Sequence, residues 1–304
     1  MKLTIKLLLT FSLGFILSVL PLNAQTESVQ ENKTSVTTDS VMVLPEGCSA
    51  VLNLNYKIVG EWKGFLDLYL PADTSNHVPL VLIIHGGGWN HGSKEEYKRN
   101  SLPFLKLGMA VANIEYRLLA VAKAPAAIED VRCALFWLIE NSDKYKYDVN
   151  NIITFGSSAG GHLALMAGIL PQNSQFDKDC IKGKKYKVTA IINKYGITDV
   201  TEYLPRTHWL DNAPNKFEFA KELSPMTYLR NDIPPIITVH GDEDPTVNYN
   251  QGVRLHQALD SLKVKNVFYT VKGGKHGKFE KDENKKFSEL TKEFLIELGI
   301  ISKK

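Results

Sequence analysis

The chain has 304 residues, of which 44% are hydrophobic and 23% are charged, and its formal net charge is +3. These values are ordinary for a globular protein, and the length allows one large domain or two small ones. The near-neutral charge gives no reason to expect a nucleic acid or an anionic membrane as a partner.

The first 24 residues have the pattern of a cleavable secretory signal peptide. Lys2 and Lys6 precede an apolar run at residues 7–20, and Ala24 is a small residue that suits the cleavage site. The run is short for a membrane span of ~20 residues, so cleavage is favoured over a membrane anchor. Removing the segment takes away two lysines and leaves a net charge of +1. The sequence therefore predicts a secreted or periplasmic protein that is not attached to a membrane after cleavage.

Residues 25–40 are polar and are predicted to form a disordered leader, whereas residues 41–304 contain no repeat or linker and are interpreted as one domain. Apolar patterns predict strands at residues 53–59, 64–70, 80–85, 110–115, 151–155, 188–193, 233–240 and 267–271. Helical patterns cover residues 103–107, 125–141, 162–170, 251–262 and 279–298. After the first hairpin the two kinds of element alternate. The sequence thus predicts an α/β fold with a mostly parallel sheet of about eight strands and helices on both faces.

The irregular stretch at residues 196–223 is long for a simple loop and is interpreted as a short lid or wall over a site. It contains Tyr203 and Trp209, which together with Trp89 are candidates for a substrate wall. Packing inside the protein is the alternative for these aromatic side chains.

The chain contains three cysteines, Cys48, Cys133 and Cys180. Cys133 lies in an apolar helical pattern and is interpreted as a small buried residue. Because an oxidising compartment permits disulfides, Cys48 and Cys180 are the pair considered. The spacing has no metal-site pattern, and no metal or cofactor is expected.

The stretch Gly156-Ser157-Ser158-Ala159-Gly160 lies between a predicted buried strand and a predicted helix. In that context G-x-S-x-G forms a sharp turn that exposes its central serine at the edge of the sheet. The glycines keep side chains away from the strained turn. Ser158 is therefore the predicted nucleophile.

A serine nucleophile needs a base, and the base needs a carboxylate. Of the eight histidines, His276 is preferred because it follows the last strand in a glycine-rich loop. Asp244 follows another strand, between Ser158 and His276 in the chain, and is preferred to Asp242 and Asp199 as the acid. His162 is expected to point away from the site, and His85 and His240 to brace neighbouring turns. The order Ser, Asp, His is that of α/β-hydrolases.

The glycine run after the third predicted strand, Gly86–Trp89, suits a close backbone approach to a reacting group. A tetrahedral oxyanion needs preformed N–H donors. The Ala159 N–H, next to the nucleophile, is one predicted donor, and N–H groups of this glycine run are the others.

Together, His85-Gly86-Gly87-Gly88-Trp89, Gly156–His162 and His240–Asp244 resemble the α/β-hydrolase esterase/lipase superfamily. The stretch Ala124–Leu138 and the absence of a long helical cap are similar to secreted bacterial acetylxylan and feruloyl esterases. The resemblance covers residues 56–298. It implies oxyanion donors at Gly87, Gly88 and Ala159, with Trp89 as the alternative to Gly87. Kynurenine-formamidase-like amidases share similar motifs.

The predicted function is therefore a secreted serine carboxylesterase that hydrolyses short-acyl or feruloyl esters of hemicellulose through an acyl-enzyme. A serine amidase or peptidase, or a general short-chain esterase or lipase, is the alternative within enzymes. A carbohydrate-binding protein with an inactive triad is the alternative outside them. The expected partner is a small-molecule or polysaccharide ester.

Overall fold

The computed structural model describes residues 42–303 except residue 182, and within them eight strands form one sheet. The strands are β1 Ser49–Val59, β2 Trp62–Leu70, β3 Val78–Ile84, β4 Ala110–Ile114, β5 Tyr147–Ser157, β6 Val188–Lys194, β7 Ile236–Gly241 and β8 Asn266–Val271. Their order in the sheet is β1-β2-β4-β3-β5-β6-β7-β8. The pairs β1–β2 and β2–β4 are antiparallel, and the other neighbours are parallel. The predicted mostly parallel sheet of about eight strands is confirmed.

Helices cover both faces of this sheet, as predicted. The α-helices of the described residues are α1 Lys94–Tyr97, α2 Ser101–Lys106, α3 Ala126–Glu140, α4 Ser142–Tyr145, α5 Ala159–Ile169, α6 Lys216–Glu222, α7 Asn250–Ser261 and α8 Lys281–Glu297. Side chains of α3, α5 and α7 build the apolar core on one face of the sheet, and those of α2 and α8 build the core on the other.

Strand β3 shows how the sequence produces two cores. Leu80, Leu82 and Ile84 belong to the core that contains α3 and α5, whereas Val81 and Ile83 belong to the core that contains α2 and α8. Successive side chains of a strand point to opposite faces, so a continuous apolar run fits a strand that is covered on both sides. Because β3, β5, β6, β7 and β8 are parallel, the loops that follow them meet at one edge of the sheet.

The described residues belong to one unit that starts at Met42. The predicted signal peptide at residues 1–24 and the predicted leader at residues 25–40 lie outside the described residues. No helix in the described part of the chain is long and apolar enough to cross a membrane.

The region between β6 and β7 is packed on the domain. It contains a 3₁₀ segment, Val200–Arg206, and helix α6. Its apolar side chains Leu210, Ala220 and Leu223 are buried in the same core as α3 and α5. This region is therefore a fixed part of the fold beside the site.

The pairing of Cys48 with Cys180 that was considered from the sequence is wrong. Cys180 is bonded to Cys133, and Cys48 is a free thiol. The neighbouring side chains explain the pairing, because buried Arg132 on α3 donates to both carboxylate oxygens of Asp177 at 2.7 Å. This ion pair holds the segment around residue 180 against α3. The apolar pattern of α3 indicated burial of Cys133 but did not indicate which segment covers it.

Replacing Cys133 and Cys180 together by alanine is expected to lower the free energy of unfolding. The bond joins residues 47 positions apart, so its loss enlarges the unfolded ensemble and costs about 2–4 kcal/mol. Guanidinium denaturation followed by circular dichroism measures the change, with Cys48→Ala as the control that should leave stability nearly unchanged. Equal losses in both proteins would contradict the Cys133–Cys180 pairing.

Candidate active site

Ser158 lies at the sharp turn between β5 and α5. Its φ is +55° and its ψ −122°, a backbone conformation that costs free energy for a residue with a side chain. A Cβ atom at Gly156 would lie 2.0 Å from the Gly160 carbonyl oxygen, and a Cβ atom at Gly160 would lie 2.2 Å from the Ile84 carbonyl oxygen. Glycine is therefore required on both sides of the serine. The Ser158 N–H donates to the Lys194 carbonyl oxygen at 2.9 Å, which ties the turn to β6.

The structure brings Ser158, His276 and Asp244 into one hydrogen-bonded chain. The Nε2 atom of His276 lies 2.9 Å from Ser158 Oγ, and its Nδ1 atom lies 2.7 Å from Asp244 Oδ2. Because a carboxylate accepts, Nδ1 carries the proton, and Nε2 is left to accept from the serine hydroxyl. The His276 side chain is 22% exposed, whereas that of Asp244 is fully buried. This geometry suits general-base activation of the serine.

The carboxylate of Asp244 is held by several donors. Its Oδ1 accepts from the backbone N–H groups of Thr246 at 2.8 Å and Val247 at 2.9 Å. Burial raises the pKa of Asp244, but hydrogen bonds from His240, from His276 and from these N–H groups outweigh it and hold the pKa well below its ordinary value. Asp244 is thus ionised throughout the neutral and mildly acidic range, where it can stabilise a protonated His276.

His240 is a contact of Asp244 that the sequence analysis missed. Its buried Nε2 lies 3.0 Å from the Val247 carbonyl oxygen, which confirms that it braces the turn, and 3.4 Å from Asp244 Oδ2. Since both neighbours accept, Nε2 carries the proton. The position of His240 at the end of β7, four residues before the acid, was the available signal.

The two rival acids have other roles. Asp242 Oδ1 accepts from the Gly273 N–H at 2.6 Å and so joins the loops after β7 and β8. Asp199 caps the 3₁₀ segment by accepting from the Thr201 N–H at 3.0 Å. The carboxylate in contact with His276 is that of Asp244.

The glycine run after β3 lies directly against the serine turn. A Cβ atom at Gly86 would lie 2.7 Å from the Ser157 carbonyl oxygen, and one at Gly87 would lie 1.9 Å from the His91 carbonyl oxygen. Gly87 and Gly88 have φ values of +116° and +59°. Only glycine adopts this path without strain.

Gly87, Gly88, Ser158 and His276 line one open cleft of about 380 Å³. Ala159 is the first residue of α5, where backbone N–H groups have no partner within the helix. The oxyanion role of Gly87, Gly88 and Ala159 stays a prediction, which this arrangement supports.

Two of the three residues considered for a substrate wall are in the interior. Trp89 and Trp209 are each 1% exposed, and their rings stack with centroids 4.3 Å apart. They cannot stack on a substrate, so that interpretation is wrong for both. Tyr203 is partly exposed and donates its hydroxyl hydrogen to the Thr246 carbonyl oxygen, beside the acid loop.

His162 joins this tryptophan pair to the serine helix. Its Nδ1 accepts from Trp89 Nε1 at 3.3 Å, and its Nε2 donates to the Leu223 carbonyl oxygen at 2.7 Å. Burial lowers the pKa of His162 to about 4, so the ring is neutral under ordinary conditions. As expected, His162 faces away from the cleft, where it connects α5 to the glycine run and the end of α6.

The walls of the cleft include two tyrosines that the sequence analysis missed, Tyr97 and Tyr195. The Tyr195 ring meets the His276 ring edge to face, with centroids 4.8 Å apart. Burial, with smaller contributions from Tyr97 and Asp244, raises the pKa of Tyr195 to about 12, so its phenol stays a neutral donor. Tyr195 directly follows β6, and this strand-end position was the signal that could have identified it. His91 and Thr246 also line the cleft.

The family model BD-FAE matches residues 66–259 of the chain. The chain belongs to the BD-FAE family. This is a carboxylesterase family of the α/β-hydrolase superfamily, which confirms the superfamily expected from the sequence.

Curated relatives include two esterases of Mycobacterium tuberculosis, LipC and LipQ, which are 28% and 27% identical over 70% and 73% of this chain. The matches cover 56% and 55% of those proteins, so the chain spans about half the length of these relatives. Kynurenine formamidase of Danio rerio is 29% identical over 71% of this chain and 72% of its own length.

Solved structures with the same fold include a truncated carbohydrate esterase from gut microbiota, which is 27% identical. Its TM-score is 0.68, with 81% of this chain and 95% of the other covered. Esterase 2 of Thermogutta terrifontis with bound propionate is 26% identical and has a TM-score of 0.73, with 86% and 98% covered. These similarities confirm the predicted α/β-hydrolase fold.

Asp244→Asn is expected to lower kcat by about 10⁴-fold, because the amide leaves His276 in the wrong tautomer. Asp242→Asn is the matched control and should leave kcat nearly unchanged, since the Asp242 carboxylate accepts from the Gly273 N–H in the loop after β8 and the base is held by Asp244. Steady-state kinetics on a short-chain aryl ester, with circular dichroism to verify folding, measures both. A larger loss in Asp242→Asn would show that the acid has been misassigned.

Proposed function

We propose that the chain is a serine carboxylesterase. Ser158 Oγ attacks the ester carbonyl carbon while His276 Nε2 takes its proton, and Asp244 stabilises the resulting imidazolium. The N–H groups of Gly87, Gly88 and Ala159 hold the oxyanion. His276 returns the proton to the leaving alcohol, and an acyl-enzyme remains. Water, activated by His276, then releases the acid and restores the serine.

The hydrogen-bonded chain from Ser158 through His276 to Asp244 is the observation that carries this proposal. It opens into a cleft in a member of a carboxylesterase family. The hydrogen-bonded chain argues against the carbohydrate-binding alternative. A protein that only binds a carbohydrate does not require a strained serine, at φ +55°, beside a histidine that is hydrogen-bonded to a carboxylate.

The proposed substrates are short-acyl or feruloyl esters, with hemicellulose as their source. The open cleft of about 380 Å³ supports small acyl groups, as does the propionate bound to the similar Thermogutta terrifontis esterase. Similarity to a carbohydrate esterase of gut microbiota supports a sugar-linked ester. The aromatic surface available to a feruloyl or sugar ring comes from Tyr97 and Tyr195, since Trp89 and Trp209 are buried.

We also propose a secreted or periplasmic location. The signal-peptide pattern of residues 1–24 supports it. The Cys133–Cys180 disulfide supports it independently, because such bonds persist in oxidising compartments.

A serine amidase is the second candidate, and the similarity to kynurenine formamidase favours it. The same three residues could act on a C–N bond by protonating a leaving amine. Comparison of an ester with the matching anilide separates the two activities.

The purified mature protein is expected to show kcat/KM values that decline from acetyl to butyryl to octanoyl esters of one alcohol. An open cleft buries little of each added methylene, whereas a closed apolar tunnel would contribute ~0.8 kcal/mol per methylene, roughly a fourfold rise. The protein should also release acetate from acetylated xylan and cleave esters in preference to the anilide.

Ser158→Ala is the control for contaminating hydrolases in this series. A rise through octanoyl with no acetate from xylan would replace the hemicellulose proposal with a lipase. Preference for the anilide would favour the amidase.

A further inference from the structure

A second cavity lies on the opposite face of the sheet from α5. Its volume is about 270 Å³, and it opens between α2 and α8. Among the described residues, the side chains that line it do not overlap with those of the catalytic cleft. It is therefore a separate cavity behind the serine turn.

The apolar part of the cavity wall is formed mainly by three phenylalanine rings, and Asn100, Asn284, Ser288 and Thr291 contribute polar atoms to the rest. Phe104, Phe155 and Phe287 are nearly buried and line it, and the first two rings meet edge to face with centroids 5.6 Å apart. Pro103 and Leu107 extend the apolar surface. This volume lies just below the usual range for small-molecule sites, so the cavity suits one compact body.

One charged group lies among these apolar walls, the side chain of Lys194 at the end of β6. Among the described residues, no hydrogen bond or ion pair joins its Nζ to a carboxylate, and no acidic side chain lines the cavity. Burial lowers the pKa of Lys194, with no carboxylate to offset it. Lys292 at the rim adds a second positive charge.

Lys194 is partly buried, so its ammonium has lost part of its contact with water without gaining an anionic partner, and a bound anion would relieve that cost. Inorganic anions such as phosphate gain nothing from three phenylalanine rings. A carboxylate with an aromatic or aliphatic body satisfies both the charge and the walls.

We propose that this cavity binds a small carboxylate with an apolar body, whose carboxylate pairs with Lys194 and whose body packs against Phe104, Phe155 and Phe287. The recognition combines a charge-assisted hydrogen bond with apolar burial. The Lys194 carbonyl oxygen also accepts from the Ser158 N–H, so a change at Lys194 could alter esterase activity by moving the serine turn. Binding is therefore measured directly and not through activity.

Isothermal titration of the full mature protein with 3-phenylpropanoate tests the proposal. The neutral 3-phenylpropanamide and inorganic phosphate are the matched probes. We expect the carboxylate to bind at least about tenfold more tightly than the amide, the effect of one charge-assisted hydrogen bond, and phosphate to bind more weakly still.

Two variants locate the probe. Lys194→Met should weaken 3-phenylpropanoate binding about tenfold or more and leave the amide unchanged, whereas Lys285→Met, an exposed lysine of α8, should change neither. Ser288→Trp, at the exposed rim, should block both probes by filling the opening.

Equal affinities for the acid and the amide would overturn the proposal. So would unchanged 3-phenylpropanoate binding in folded Lys194→Met or Ser288→Trp, because the probe would then lie elsewhere. Phosphate binding as tight as that of 3-phenylpropanoate would show that the walls contribute nothing, which also overturns it.

Discussion

The site depends on a close approach between backbone segments that only glycine permits. A Cβ atom at Gly156 would lie 2.0 Å from the Gly160 carbonyl oxygen, and one at Gly160 would lie 2.2 Å from the Ile84 carbonyl oxygen, far inside van der Waals contact. Without this approach, α5 would move away from the ends of β3 and β5. The glycine run after β3 would then lose its contact with the Ser158 turn. Burial of α5 in the core on its face of the sheet offsets the strain at Ser158, which is of order 1–3 kcal/mol.

The second requirement is a carboxylate that stays ionised although its side chain is fully buried. Burial alone would favour the neutral form of Asp244, and the N–H donors of the turn after β7, with His240 and His276, reverse that preference. An ionised Asp244 keeps the proton of His276 on Nδ1, so that Nε2 faces Ser158. The fold thus converts a strand-end loop into a fixed negative charge behind the base.

The sequence predicted what depends on local pattern and on the rule that loops meet at one edge of a parallel sheet. Ser158 and His276 could be paired because Ser158 directly follows β5 and His276 lies in the loop after β8, and the structure places them in contact. The sequence could not predict contacts between segments that are distant in the chain. Trp89 and Trp209 stack because the region after β6 folds down onto the glycine run. Cys180 reaches Cys133 on α3 because the ion pair between Arg132 and Asp177 holds its segment there. Composition carries no information on either packing.

The central claim is that Ser158 is a nucleophile activated by His276. Treatment with a serine-directed phosphonate, followed by peptide mapping with mass spectrometry, tests it directly. The account predicts one label per molecule, on Ser158, with ester turnover lost in proportion to labelling and with labelling greatly slowed in His276→Ala. A label on Ser157 or another serine, or undiminished labelling in folded His276→Ala, would contradict it.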